Sequence, residues 1–291
     1  MKFAGFSKRK NRPFKTLFMK IQKLSGFFLV LAIAFSFTSP VKKSSAKNNL
    51  LKSITIAGEI TTKYIYNENY KITEIESIHR YQKFYYDENN RLTRMEVAMD
   101  PSLLYSTRAN EKKKMMTAKN STITSYDLFE YDKEKHIKKI KHYARKNQDI
   151  EFVSITGFIY EGDFVVKCSL TDTAANSVYQ FDTFNYDKNG NLINEKNYVN
   201  SPPNYYLPKL ISETQYKFDD KPTRSSINTM PGRPGYGTNP NNVIETNFIL
   251  HDTHTKNNTP IITKSLFTYD ANGFPLIEKK GVATFEYHYS E

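Results

Sequence analysis

One pattern, written seven times with variations, constrains this chain more than anything else in it. Phe84-Tyr-Tyr86-Asp87-Glu-Asn-Asn-Arg-Leu92, Phe129-Glu-Tyr131-Asp132-Lys-Glu-Lys-His-Ile137 and Phe184-Asn-Tyr186-Asp187-Lys-Asn-Gly190-Asn-Leu192 align without a gap. Phe267-Thr-Tyr269-Asp270-Ala-Asn-Gly273-Phe-Pro-Leu276 aligns with them if Phe274-Pro275 takes the place of one residue. Looser copies are Tyr64-Ile-Tyr66-Asn67-Glu-Asn-Tyr-Lys-Ile72, Phe158-Ile-Tyr160-Glu-Gly-Asp163 and Tyr216-Lys-Phe218-Asp219-Asp220. Repetition on this scale marks one supersecondary unit used repeatedly.

The unit reads as a hairpin. Two aromatics separated by one residue share a face of a strand, because side chains alternate with period two. The acid that follows sits at the first position of a turn, where its carboxylate accepts backbone N–H groups, and Asn or Gly two and three residues on supply a left-handed conformation. The Leu or Ile after the turn opens the returning strand and faces the aromatic pair. Beyond it apolar residues recur at three: Ile72, Ile75 and Ile78; Ile137, Ile140 and Tyr143; Leu92 and Met95. Segments crowded with Thr, Asn and Tyr favour a bulged strand over a helix at that spacing. With a terminal strand over Thr284–Tyr289, the copies predict about fourteen to sixteen strands, each pairing with its sequence neighbour. The fold class is therefore all-β: a large antiparallel meander of repeated hairpins, curled or partly closed like a barrel.

Ahead of the repeats, residues 1–46 read as a secretory signal: a basic stretch from Lys2 to Lys23, an apolar run from Gly26 to Thr38, then Ser44-Ser45-Ala46. The apolar run is shorter than the roughly 20 residues a membrane-spanning helix needs. Met19 offers an alternative start, and no cysteine near the cleavage site provides for a lipid anchor. The leader also carries most of the excess charge. Ten of the 42 Lys and Arg and none of the 30 acids lie within it, so the net +12 falls to +2 for residues 47–291. Nucleic-acid binding needs a clustered cationic face, and this balance does not provide one. Residues 47–291 read as a single repetitive β-sheet domain with insertions near 100–120, 201–208 and 230–240.

Motifs for chemistry are sparse. There is no Gly-x-Ser-x-Gly elbow, Walker loop, His-Glu-x-x-His or Cys-x-x-Cys. The lone Cys168 reads as buried filler on the same face as Phe164, Val166 and Leu170. His251 and His254 point to opposite faces of a strand and make a poor metal pair. Asp187-Lys-Asn-Gly190-Asn places its glycine too early for a calcium loop. Glu195, Glu213 and Glu245 are dispersed acids from which sequence alone selects no hydrolytic pair. The Pro- and Gly-rich insertions carry the candidate binding residues Tyr205, Tyr206, Arg233 and Tyr236, since binding concentrates on loops of that size.

The aromatic-x-Tyr-Asp-x-Asn-Gly-x-Leu pattern resembles the YD repeat of RHS-type wall and toxin-shell proteins. It resembles still more the exported β-sheet proteins of unknown function, found in gut and oral Gram-negative bacteria, that carry irregularly spaced copies of the same hairpin on a porin-like antiparallel sheet. Here the aligned aromatics at 66, 86, 131, 160, 186, 218, 269 and 287 stand between 18 and 51 residues apart. The resemblance implies a fold and an exported location, and brings no activity and no functional residues. The functional expectation is a non-enzymatic exported scaffold or binding protein without cofactor, engaging a protein or a carbohydrate. A barrel inserted in the outer membrane and a secreted hydrolase are the alternatives.

Overall fold

A computed structural model describes residues 50–99, 114–172, 177–200, 207–223, 233, 238–251 and 259–290. Residues 1–49, and most of the segments near 100–120, 201–208 and 230–240 that the sequence reads as insertions, lie outside the described residues. The rest is sixteen strands: β1 (Leu51–Ile56), β2 (Glu59–Tyr66), β3 (Ile72–Ser77), β4 (Arg80–Tyr86), β5 (Leu92–Met99), β6 (Ser125–Tyr131), β7 (Ile137–Lys146), β8 (Asp149–Glu161), β9 (Phe164–Asp172), β10 (Ser177–Tyr186), β11 (Leu192–Val199), β12 (Lys209–Pro222), β13 (Asn241–Leu250), β14 (Ile261–Tyr269), β15 (Pro275–Lys280) and β16 (Ala283–Tyr289). Every strand pairs antiparallel with its sequence neighbours, and β16 pairs back onto β1, opposing Tyr287 to Ile54 and Phe285 to Ile56. The predicted meander is thus a fully closed barrel. Closure removes both sheet edges.

The repeated unit builds the hairpins it predicts. At Asp87, Asp187 and Asp270 one carboxylate oxygen accepts the N–H groups two and four residues on: Asn89 and Arg91 at 2.9 Å each, Asn189 and Asn191 at 2.8 and 2.9 Å, Asn272 and Phe274 at 2.8 and 2.9 Å. Asn67 does the same with its amide oxygen, and Asp132 receives His136 N–H at 2.9 Å. Led by the Arg91 backbone N–H, these bonds hold the Asp87 carboxyl below the usual carboxylate range. The third residue after Asn67, Asp87, Asp132, Asp187 and Asp270 has positive φ (Tyr70, Asn90, Lys135, Gly190 and Gly273), whereas in the Tyr160 copy it is Gly162, directly after Glu161. Only at Gly190 is glycine needed twice over, because φ is +86° and a Cβ there would stand 3.3 Å from the Phe164 ring.

A bulge directly after each turn explains the spacing of three. Tyr86 opposes Leu92 while Tyr85 opposes Arg94, so Thr93 is unpaired and Leu92 and Met95 share the inner face. The same shift puts Ile72 with Ile75, Ile137 with Ile140 and Val165 with Cys168. It corrects two expectations. Cys168 shares its buried face with Val165, whereas Phe164 is 45 % exposed. In the fourth copy Pro275 itself occupies the Leu position opposite Tyr269, and Leu276 is the bulged residue. The spacing of three also ends after its second member, for Tyr143 stacks on the outer face against Tyr126, with ring centroids 4.5 Å apart.

The repeat tyrosines occupy equivalent inner positions and cross-link neighbouring hairpins. Each hydroxyl donates to the carbonyl that opens the return strand of the hairpin before it: Tyr86 to Ile72 at 2.8 Å, Tyr131 to Leu92 at 2.8 Å, Tyr160 to Ile137 at 3.0 Å and Tyr186 to Val165 at 2.8 Å. Tyr66 reaches Leu51 and Tyr289 reaches Pro275 in the same way. Two copies depart. Phe218 has no hydroxyl and leads into the long β12–β13 connection in place of a tight turn, and Tyr269 donates to the Asp219 carboxylate. Inside, β3 to β7 surround Ile75, Phe84, Leu92, Met95, Phe129 and Ile140, and β9 to β11 surround Val165, Cys168, Phe184 and Leu192, with Phe158 packed against both groups.

Candidate functional site

Among the described residues, two clusters of polar side chains meet at one chamber in this lumen. The first is centred on Asp182, whose side chain is 4 % exposed. Strand register puts it directly between Cys168 on β9 and Asn197 on β11. Its oxygens accept Asn197 Nδ2 at 2.5 Å, Cys168 Sγ at 3.4 Å and Arg233 Nη1 at 2.8 Å. The other arm of Arg233 reaches Glu195, whose second oxygen accepts the Tyr216 hydroxyl at 3.1 Å. Burial works against the charge on Arg233, but Asp182 and Glu195 outweigh it and hold the guanidinium more firmly protonated than usual. Burial, reinforced by Asp182, pushes the Cys168 thiol up to about 12, far from nucleophilic use near neutrality.

Arg233 comes from the β12–β13 connection, whose far end is pinned to the neighbouring turn. Asn239 Oδ1 accepts Leu192 N–H at 2.8 Å, and Asn191 and Asn241 exchange two hydrogen bonds. This candidate binding residue thus turns into the barrel with its charge already matched. Tyr205, Tyr206 and Tyr236, named with it from sequence, lie outside the described residues, as does His254. The dispersed acids are also separated, because Glu195 faces the lumen while Glu213 and Glu245 face outward to lysines.

The second cluster spans three adjacent strands. Asp127 on β6 lies opposite His142 on β7, Oδ1 to Nδ1 2.7 Å, and His142 Nε2 lies 2.7 Å from Thr156 Oγ1 on β8. This chain and the first cluster share a chamber of about 210 Å³, walled by Arg80, Gln82, Val97, Phe129, Phe158 and Arg233 among others. Water reaches it, for the side chains of His142 and Asp127 are 28 % and 20 % exposed. The apolar walls Met95, Phe129, Ile140 and Phe158 belong to the repeat pattern read from the sequence, but of the other walls sequence reasoning singled out only Cys168 and Arg233. The one signal was the placement of Arg80, Gln82, Asp127 and His142 on the same alternation as core aromatics, where a polar residue needs a reason. Among the described residues no group of three His, Cys, Asp or Glu is placed to hold a metal ion.

No family model matches the chain, and no curated protein matches it. Among solved structures it is similar to a porin-like protein from Bacteroides vulgatus, at 10 % identity and a TM-score of 0.49, over 83 % of this chain and 99 % of that one. A porin-like protein from Bacteroides uniformis is similar at 9 % identity and a TM-score of 0.33, over 84 % and 99 %. The Tc holotoxin pore of Photorhabdus luminescens is similar over 76 % of this chain and 12 % of that one, at 12 % identity and a TM-score of 0.20. The fold assignment rests on the chain's own strand pairing: an antiparallel barrel of sixteen strands, closed by β1 and β16.

Proposed function

We propose that this chain is an exported, water-facing barrel that acts as a non-enzymatic binding protein, with a ligand chamber inside the barrel. The observation that carries the reading is the charge on the outer face. Glu130, next to the end of β6, lies 2.9 Å from Lys139 and 2.7 Å from Lys141, and at mid-strand on β13 Glu245 lies 2.8 Å from Lys217 and 3.6 Å from Lys264. Arg94 and Glu96 pair at 2.8 Å on β5, and Glu96 also accepts the Tyr85 hydroxyl. A barrel in lipid presents an apolar band there, and each Lys or Arg at the bilayer midplane costs about 2–4 kcal/mol. Cross-strand ion pairs belong in water, where they contribute little but cost nothing to expose.

Fractionation of cells expressing the whole chain tests this. The processed protein is expected in the alkaline carbonate supernatant, whereas a carbonate-resistant pellet would replace the reading with an outer-membrane barrel. A hydrolase reading has one observation in its favour, the Asp127–His142–Thr156 chain, which connects an orienting carboxylate, a base and a hydroxyl. Covalent labelling of Thr156 by a fluorophosphonate would support it, and no labelling at saturating reagent would remove it.

A further inference from the structure

Two guanidinium groups face the same chamber, and they are treated differently. Arg233 meets two carboxylates. Arg80, at the start of β4, is half-buried; among the described residues no ion pair or hydrogen bond reaches its side chain, and the group that acts on its charge is the Tyr64 phenol, neutral near pH 7. A cation taken partly out of water without a counter-charge is unfavourable, and an anion bound from outside the chain would relieve that cost. The desolvation is felt: burial draws Arg80 below the usual guanidinium range.

The walls around Arg80 define the rest of the ligand. Met95, Val97, Phe129, Ile140 and Phe158 form an apolar floor, and the chamber's own acid, Asp127, is occupied by His142 at 2.7 Å. We infer that the chamber binds a small organic anion, a carboxylate with an apolar body, whose charged end pairs with Arg80 and whose body lies on the Phe129 and Phe158 side. This deepens the binding-protein reading above and rests on it. A planar guanidinium suits a carboxylate, since its paired N–H groups match the two oxygens. A ligand with charge at both ends would meet the apolar floor, which favours a monoanion.

Benzoate is a suitable probe, with benzamide as its neutral counterpart and inorganic phosphate as an anion lacking the apolar body. Calorimetric titration of the processed barrel at fixed ionic strength is expected to show benzoate binding about tenfold more tightly than benzamide, the scale of one charge-assisted contact. Phosphate is expected to bind more weakly than benzoate. Arg80→Gln should erase the preference for benzoate over benzamide while leaving the far-ultraviolet circular dichroism unchanged, and Arg80→Lys should retain part of it. Equal binding of benzoate and benzamide, or a benzoate preference that survives in Arg80→Gln, overturns the assignment of Arg80 as the anion site. So does phosphate binding as tightly as benzoate, which would make the site a simple anion trap. Failure of every probe on a barrel that stays in the carbonate supernatant overturns the inference alone, whereas retention in the membrane pellet overturns the reading beneath it.

Discussion

Replacing Arg233 with methionine is expected to lower the unfolding free energy by about 3–5 kcal/mol, the usual effect of removing one partner from a buried ion pair. The reason lies with what stays behind. Among the described residues Asp182, with its side chain 4 % exposed, would keep only Asn197 and the weak Cys168 thiol as donors, and Glu195 would keep Tyr216. Methionine fills the aliphatic space of the arginine, so the loss reports charge more than volume. Adding Asp182→Asn to Arg233→Met should recover part of the stability, because a neutral amide at 182 removes the stranded charge. Urea unfolding with an unchanged m-value is the measurement, and additivity of the two substitutions would contradict a shared network.

Phe184→Ala is expected to cost a similar amount, about 3–5 kcal/mol, by opening a cavity in the lumen. Phe184 is 2 % exposed and packs with Val165, Cys168 and Leu192, while the Arg233 guanidinium sits 5.9 Å from its ring centre. The outward Leu266 makes the control. At 72 % exposure its replacement by alanine should change stability by less than about 0.5 kcal/mol. The contrast tests which face of the barrel is the core. If the two substitutions cost the same, the inward assignment of the repeat aromatics is wrong.

Much of this architecture is legible in the sequence because the repeat is a local device. Turn chemistry at Asp87, Asp187 and Asp270 requires only residues within five positions of one another, and alternation places the aromatic pair without reference to the rest of the chain. The bulge is half-legible: the spacing of Leu92 and Met95 announces it, yet its location decides which face Cys168 and Pro275 take, and that depends on the partner strand. Tyrosine hydroxyls reaching across to Ile72, Leu92 and Ile137 follow from placing one hairpin beside the next, a step beyond any single copy.

The chamber is less legible still. Asp127, His142 and Thr156 are fifteen and fourteen residues apart and meet only because β6, β7 and β8 pair in one register. Arg80 and Arg233 belong to opposite halves of the chain, and it is closure of the sheet that turns both toward one space. A Pro- and Gly-rich connection reads as a surface loop, and nothing in its composition says that one arginine folds inward to Asp182.

Closure between β1 and β16 is the claim on which the inside, the outside and the chamber all depend. Thr55 and Glu286 oppose each other across that seam, 231 positions apart in sequence. Cysteines at both positions, in a Cys168→Ala background, should oxidise within one chain and yield a faster-migrating monomer on non-reducing electrophoresis. Cross-links that form only between chains, or none at all, would mean that the first and last strands do not meet and that the sheet is open.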